Sequence, residues 1–201
     1  MTEIPFSAAC ERNKDPILDV IRPSLQSVQS VLEVGSGTAQ HAIHFAGECP
    51  NLEWQTSDQE EYLSGIRAQL ENTQLSNVLL PLTLDVNQPQ WIPDKKRFPL
   101  IYTANTLHIM AWSDVCAFFS GLYQVVDSSA RLIVYGPFKY DGRFTSESNA
   151  EFDENLRSRG VGRAIRDFEE IDQLAQKSGF SLLADHTMPA NNQCLIWQLN
   201  V

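Results

Sequence analysis

Two glycines and two acids have the types and spacing that could bind a nucleotide. Gly35 and Gly37 directly follow the apolar run at 31–34, and Asp58 and Asp85 close the next two apolar runs. A glycine turn between a buried strand and a helix lets a ligand approach the backbone closely. An acid at the end of the next strand can accept hydrogen bonds from both ribose hydroxyls. The pattern therefore indicates a site for a ligand that contains adenosine.

A parallel sheet has to position these residues at one edge. The run at 31–34 is continuous and rich in branched residues, as in a strand buried on both faces, and residues 40–48 have helical spacing. Further strands are predicted at 52–56, 78–86, 98–104, 130–135, 180–184 and 193–198. We therefore predict an α/β, Rossmann-like fold: a seven-stranded, mostly parallel sheet with a closing antiparallel strand and helices on both faces.

The glycine turn does not complete the dinucleotide fingerprint G-x-G-x-x-G, because Gln40 stands at the third glycine position. The stretch at 33–39, E-V-G-S-G-T-A, instead resembles motif I of class I S-adenosylmethionine (SAM) methyltransferases, [D/E]-x-G-x-G-x-G. Ala39 replaces the last glycine, and a glycine turn of some other α/β protein stays open as an alternative. The cofactor residues that this resemblance implies are Glu33, Gly35, Ser36, Gly37, Asp58, Asp85 and Asn105.

Length and composition are those of one globular domain, 1–201, with 43% hydrophobic and 20% charged residues. The four cysteines are scattered without a C-x-x-C pair, which favours reduced thiols in a cytoplasmic protein and gives no reason to expect a metal. No secretory signal and no apolar run long enough to span a bilayer is visible. A net charge of −10 argues against binding to nucleic acid or to an anionic membrane.

Asn105 and His108 follow the predicted strand at 98–104, at the edge where open α/β sheets bind ligands. His108 could be a general base, since the ordinary pKa of histidine lies near neutrality; alternatively, it holds the loop. We take both as candidate catalytic residues. His41 and His44 are spaced to face one metal, but without a third ligand they are expected to be ordinary helix residues.

Two segments flank these motifs. In the N-terminal segment, 1–25, we expect a helix that begins near Asp15 and Pro16. The polar residues at 11–14 are either a solvated lead-in, which composition favours, or part of a lid over the strand ends. Residues 139–166 are predicted to be an insertion on the substrate side.

Positive charge is concentrated in that insertion, although the chain is acidic. The cations are Lys139, Arg143, Arg157, Arg159, Arg163 and Arg166. The guanidinium fork suits bidentate capture of a carboxylate or phosphate, which would imply an anionic substrate. Equally, nearby acids could pair with these arginines on a solvated helix face.

As a set and in this order, seven short motifs resemble a widespread family of uncharacterised methyltransferase-like proteins related to methyltransferase-like protein 26. They are E-R-N-K at 11–14, the segment 33–41, W-Q-T-S-D at 54–58, L-D-V at 84–86, Y-G-P-F-K at 135–139, I-R-D at 165–167 and M-P-A-N-N at 188–192. The resemblance covers nearly the whole chain and implies the class I fold with SAM as cofactor. Residues 160–164 depart from the family, which usually has an aromatic residue there. The substrate-binding residues expected from these segments are Arg12, Asn13, Lys139, Arg166 and Asn192.

These features favour methyl transfer from SAM to a small, anionic molecule. The alternative is a SAM-binding regulator or partner subunit without catalysis, and the missing third glycine disfavours an NAD oxidoreductase. Expected partners are a small-molecule acceptor and neither nucleic acid nor membrane. A homodimer stays open.

Overall fold

One large sheet and one small sheet organise the protein, which a computed structural model describes at residues 5–93 and 96–200. In chain order the strands are β1 (Ser30–Val34), β2 (Glu53–Asp58), β3 (Val78–Thr83), β4 (Phe98–Ala104), β5 (Val126–Gly136), β6 (Phe138–Tyr140), β7 (Arg143–Phe144), β8 (Arg166–Asp167), β9 (Phe180–Met188) and β10 (Asn192–Leu199). The helices are α1 (Ala8–Gln26), α2 (Gln40–Glu48), α3 (Leu63–Leu70), α4 (Trp112–Gly121), α5 (Glu147–Arg159) and α6 (Phe168–Lys177).

The large sheet has seven strands in the order β3-β2-β1-β4-β5-β10-β9. Strands β1 to β5 pair in parallel, whereas β10 is antiparallel to both β5 and β9. The chain reverses strand order between β1 and β4, which is where open α/β sheets hold ligands. The predicted α/β architecture, including the closing antiparallel strand, is confirmed.

Each face of the large sheet carries its own apolar core. On one face the aromatic rings of Phe45, Trp54 and Tyr102 pack together with apolar residues of α1 and α2. The opposite face packs Phe118 and Trp197 together with apolar residues of α4 and α6. Burial on both faces explains why the central strands are almost continuously apolar. In the described part of the chain, no helix has the length and apolar character needed to cross a membrane.

Helix α1 begins earlier than the sequence predicted. Its N-cap is Ser7, whose side chain accepts a hydrogen bond from the Cys10 N–H at 3.2 Å. The motif at 11–14 is therefore helical and is not a lead-in, and Pro16 lies inside the helix. A serine cap is a strong local start signal, and it outweighs the later proline. Residues 1–4 of the predicted lid lie outside the described residues.

The insertion contains structure that the sequence did not predict. A small three-stranded sheet, β7-β6-β8, leaves the end of β5, and α5 connects β7 to β8. Asp153 on α5 is only 4% exposed, and its carboxylate accepts a 2.6 Å hydrogen bond from the Ile165 N–H. This bond ties the helix to the start of β8.

Candidate active site

The turn between β1 and α2 depends on two left-handed glycines with different surroundings. Gly35 has φ +77°, and a Cβ there would lie 3.0 Å from Cγ2 of Thr106. Gly37 has φ +55°, and nothing lies within 4 Å of the position that its Cβ would take. A side chain at Gly35 would therefore be both strained and crowded, whereas Gly37 leaves open space for a ligand.

Ala39, which replaces the last glycine of the motif, still adopts a backbone conformation that favours glycine. Ala39 is buried and left-handed, with φ +56°, and its N–H donates to the Ser36 carbonyl at 2.8 Å. A left-handed conformation costs an L-residue about 1–2 kcal/mol. The turn therefore tolerates alanine at this strained position.

A cavity of about 420 Å³, the first cavity, opens beside this turn. Its polar wall includes Glu33, Ser36, Gly37, Asp58 and Asn105. Its apolar wall includes Leu84, Val86, Ile109 and Met110. Volume and mixed lining are those of a site for a small organic molecule.

Asp58, at the end of β2, is fixed by two backbone groups. Its carboxylate accepts hydrogen bonds from the N–H groups of Gly37 at 2.7 Å and Gln59 at 2.8 Å. Burial raises the pKa of Asp58, and the two N–H donors oppose that rise. A carboxylate has about four acceptor positions, so both oxygens keep the capacity to bind hydroxyl groups.

Glu33 is a second carboxyl group of the first cavity and is only 2% exposed. Its Oε2 accepts a hydrogen bond from the Trp54 indole N–H at 3.0 Å. Burial raises the pKa of Glu33 to about 8, against the effect of Trp54. At neutral pH, Glu33 is therefore mostly protonated in this structure.

Asn105 enters the first cavity from the end of β4 in a left-handed conformation, with φ +57°. Its N–H donates to the Tyr135 carbonyl at 2.8 Å. Asparagine adopts this conformation more readily than most residues. The backbone thus turns sharply between β4 and the loop that contains His108.

Asp85 lies beside the first cavity and does not line it. Its Oδ1 accepts a hydrogen bond from the Asn87 N–H at 2.9 Å, which closes the turn after β3. Its neighbours Leu84 and Val86 line the cavity instead. The structure thus assigns Asp85 a local capping contact.

Helix α1 covers one side of the first cavity, where Ser7 and Cys10 contribute to the wall. The Ser7 N–H donates to Oε1 of Gln40 at 2.6 Å, and Nε2 of Gln40 donates to Glu11 at 3.2 Å. These bonds hold the start of α1 against the start of α2. A buried glutamine that bridges two helices fixes their relative position.

A polar network continues from α1 into the wall of the first cavity, which includes His41. His41 is buried, and burial lowers its pKa to about 4, so the ring is neutral. Its Nε2 lies 2.7 Å from Oδ1 of Asn13, and its Nδ1 lies 3.3 Å from the Tyr102 hydroxyl. Because the amide oxygen can only accept, Nε2 carries the proton and Nδ1 accepts from the tyrosine.

Two of the predicted substrate residues lie near the Tyr135 hydroxyl. Asn13 and Asn192 lower the pKa of that hydroxyl, although burial raises it more strongly. Three motifs that are far apart in the sequence therefore meet here. Arg12, in contrast, is exposed and lines neither cavity described here.

His108 is buried and lies outside the walls of both cavities. The Phe152 ring packs edge-on against it at 5.4 Å between centroids. Burial, assisted by the positive charge of Arg166, lowers the pKa of His108 to about 4. The ring is therefore neutral at pH 7 and has the protonation state of a base, but it is shielded.

The side chain of Arg166 donates its hydrogen bonds to backbone carbonyls. It is 7% exposed, and its Nε donates to the Leu107 carbonyl at 2.9 Å. Its Nη2 donates to the carbonyls of Met110 and Gly162, the latter at 2.8 Å. The sequence suggested capture of an anionic substrate, but at least three N–H donors of this side chain hold loops together.

Lys139 and Arg166 line a different cavity from the glycine turn. This second cavity, of about 490 Å³, lies between α4, the end of α5, β6 and the segment 160–166. Nζ of Lys139 lies 5.8 Å from the centre of the Phe144 ring. Apart from Arg12, the predicted substrate residues thus fall into two groups, one behind the first cavity and one in the second.

Sequence reasoning missed Tyr135 and His41 as contributors to these sites, and it named Arg163 only among the cations of the insertion. Arg163 is a wall residue of both cavities. Tyr135 and His41 both stand within motifs that carried the family resemblance, which was the one available signal. No spacing rule connects a strand residue at 135 with a helix residue at 13.

The fold is similar to solved structures of SAM-dependent methyltransferases at low sequence identity. The S-adenosylmethionine-dependent methyltransferase SibL is 18% identical, with a TM-score of 0.78 over 96% of this chain and 56% of that chain. Human N-acetylserotonin methyltransferase in complex with SAM is 13% identical, with a TM-score of 0.80 over 96% of this chain and 53% of that one. PigF with SAH is 15% identical, with a TM-score of 0.79 over 94% and 56%. The chain spans little more than half the length of these proteins, and the likeness shows the fold.

The sequence also matches a family defined by sequence alone, over residues 4–199. That family is described as "Protein of unknown function (DUF938)". The match covers nearly the whole chain. The protein therefore belongs to the DUF938 family and has the Rossmann-like fold of SAM-dependent methyltransferases.

Proposed function

We propose that this protein transfers a methyl group from SAM to a small, anionic acceptor. The observation that carries the proposal is the first cavity, where the open glycine turn at Gly37 meets the fixed carboxylate of Asp58. Solved proteins of the same fold, including PigF with SAH and human N-acetylserotonin methyltransferase with SAM, support it.

The residues of the first cavity fit SAM. The carboxylate of Asp58 has acceptor capacity for two ribose hydroxyls, and Leu84, Val86 and Met110 offer an apolar wall for a purine ring. Glu33 lies deeper and can become a carboxylate when a cationic amine approaches, because an opposite charge lowers its pKa. When bound, SAM supplies a methyl group made electrophilic by its sulfonium.

The chain contributes mainly by positioning. Asn105 projects from the end of β4 into the first cavity, and Ser7 and Cys10 of the α1 start help to exclude water from it. Asn13 is held by His41 at 2.7 Å, and Asn192 lies near the Tyr135 hydroxyl, so both stay at the α1 side of the sheet edge. They remain our candidates, with Arg12 and Lys139, for contacts to the acceptor.

His108 is the candidate general base, with Asn105 beside it as the second catalytic candidate. A neutral imidazole can take the proton that an oxygen or nitrogen nucleophile loses. In this structure the Phe152 ring shields His108, so proton transfer requires that ring to move. Acceptors that are already deprotonated would not need this step.

A second candidate function is a SAM-binding regulator or partner subunit without catalysis. The observation that favours it is the place of His108, which lines neither cavity. In that case the first cavity would bind SAM, and no proton acceptor would be required.

Other expectations extend this proposal. We infer that residues 1–201 act as one catalytic domain, with Asp85 near the adenine side and 139–166 on the substrate side. The relation to methyltransferase-like protein 26, a homodimer and a cytoplasmic location are part of the same proposal; the four free cysteines suit a reducing compartment.

Two measurements, made one after the other, test the proposal. Equilibrium titration with SAM and with NAD should show binding of SAM alone; binding of NAD alone would contradict it. Incubation with methyl-labelled SAM and a panel of small acids and their neutral analogues should then yield a labelled product. Binding of SAM without any product from the panel would support the regulator.

A further inference from the structure

The second cavity is a basic pocket in an acidic protein. Its wall includes Lys139, Arg157, Arg163 and Arg166, with Glu170 as the acid among the wall residues. The chain as a whole has a net charge of −10. Four cations around about 490 Å³ therefore differ sharply from the rest of the surface.

Of these four cations, Arg157 is the one with an acidic partner in the described part of the chain. Neither Lys139 nor Arg163 forms an ion pair there. Arg157 pairs with Asp153 through Nε, at 2.6 Å, and its side chain is 59% exposed. The exposed acids of α5 are not paired with the cavity cations, so neutralisation on a solvated helix face does not explain the cluster.

Arg166 holds together the backbone segments that form the wall of the second cavity. Its three carbonyl contacts join the loop at 107–110 to Gly162. Its guanidinium carbon lies 5.6 Å from the centre of the Trp112 ring, which is also a wall residue. The positive charge of Arg157 is close enough to contribute to lowering the pKa of Arg166, after burial. Like charges this close repel, and a bound anion would relieve the repulsion.

We propose that the second cavity binds an anionic group, a carboxylate or a phosphate, through Lys139, Arg157 and Arg163. The guanidinium fork matches both groups, and lysine adds a point charge. Arg166 acts as a positioning residue that fixes the wall.

We assign the anion to the acceptor molecule, and this part rests on the proposed methyl transfer. Arg163 lines both cavities, so the anion site adjoins the first cavity directly. A single molecule could place its anionic group in the second cavity and extend towards Asn105. A free phosphate ion is the other source of the same chemistry.

Anion binding can be measured without SAM. Inorganic phosphate is titrated into ¹⁵N-labelled protein at constant ionic strength while backbone amide shifts are followed. We expect saturable shifts in the segment 160–166, and Arg163→Gln and Lys139→Gln should each raise the apparent phosphate Kd about tenfold. Arg143→Gln is the matched control, because it removes the same charge from an exposed residue outside the second cavity.

Unsaturable shifts, or an equal effect of all three variants, would overturn the anion site. SAM titration of the same wild-type sample without phosphate tests the proposed function separately, so either can fail alone. To identify the source, matched pairs of acids and their esters are offered with labelled SAM. If each acid is methylated at least tenfold faster than its ester, and if this preference falls in Lys139→Gln, the anionic group belongs to the acceptor. Saturable phosphate binding without such a preference would overturn that assignment.

Discussion

The two cavities at the carboxyl edge of the sheet are built in opposite ways. The first is lined by the acids Glu33 and Asp58 and rests on β1, β2 and β4 of the large sheet. The second is lined mainly by cations and rests on the insertion, with its small sheet and α5. One wall residue, Arg163, belongs to both.

The two regions differ in how far apart in the sequence their contacting residues lie. In the first cavity, a contiguous turn at 35–39 carries most of the backbone geometry, and hydrogen bonds to Ser57 and Asp58 at the end of β2 complete it. In the second, a single buried arginine connects the loop at 107–110, more than fifty residues away in the sequence, to Gly162 in its own segment. Substitutions should therefore act locally in the first region and cooperatively in the second.

The largest effect should come from Arg166→Met. Losing the carbonyl contacts of a buried guanidinium leaves those carbonyls without their donor, and we expect the free energy of unfolding to fall by about 3–5 kcal/mol. Denaturant unfolding measures this change. Arg163→Met is the matched control and should cost about 0.5 kcal/mol or less. Equal losses in the two variants would remove the distinction between a positioning and a ligand-facing arginine.

The next largest effect is the pH dependence of folding stability that Glu33 causes. The pKa of Glu33 is raised to about 8 in the folded protein, above its unfolded value of 4.5, so folding takes up a proton between these values. The stability from this protonation is fully present at low pH and is lost as pH rises towards 8, by up to about 1.4 kcal/mol per pH unit.

Glu33→Gln keeps an acceptor for Trp54 and cannot ionise, so its stability should vary less with pH. Unfolding curves of both proteins from pH 5 to 8 give the comparison. The gap between them should grow with pH in favour of the variant. Parallel pH profiles would show that Glu33 titrates normally.

A smaller contrast separates the two glycines of the turn. Gly35→Ala adds left-handed strain and a 3.0 Å contact with Thr106, and it should cost about 2–3 kcal/mol. Gly37→Ala adds strain in open space and should cost about 1 kcal/mol. Thermal or denaturant unfolding measures both. A Gly37 variant that is the less stable of the two would contradict the described turn.

The sequence predicted the first region well because its signals are local. An apolar run, two glycines and a following acid determine strand, turn and strand end, and the structure places Gly35, Gly37 and Asp58 together. Ser7 was a local signal that was overlooked, since it caps α1 well before Pro16.

The second region could not be predicted because its contacts are long-range. The same holds behind the first cavity, where Asn13, Tyr135 and Asn192 meet only after α1, β5 and β10 have packed, and no periodic pattern encodes that meeting. Arg166 looked like a ligand residue because a charge is usually exposed. Its burial became visible only with the carbonyls that it binds.

The most direct test of the account is calorimetric titration of SAM into the wild-type protein and Asp58→Ala, with Asp85→Ala as control. The wild type should bind one SAM per chain. Loss of the charge-assisted hydrogen bonds of Asp58 should weaken binding by about 1–3 kcal/mol, or roughly 5- to 150-fold, whereas Asp85→Ala should have a smaller effect because its carboxylate closes a turn. An unchanged SAM affinity in Asp58→Ala, or no SAM binding by the wild type, would contradict the assignment of the first cavity.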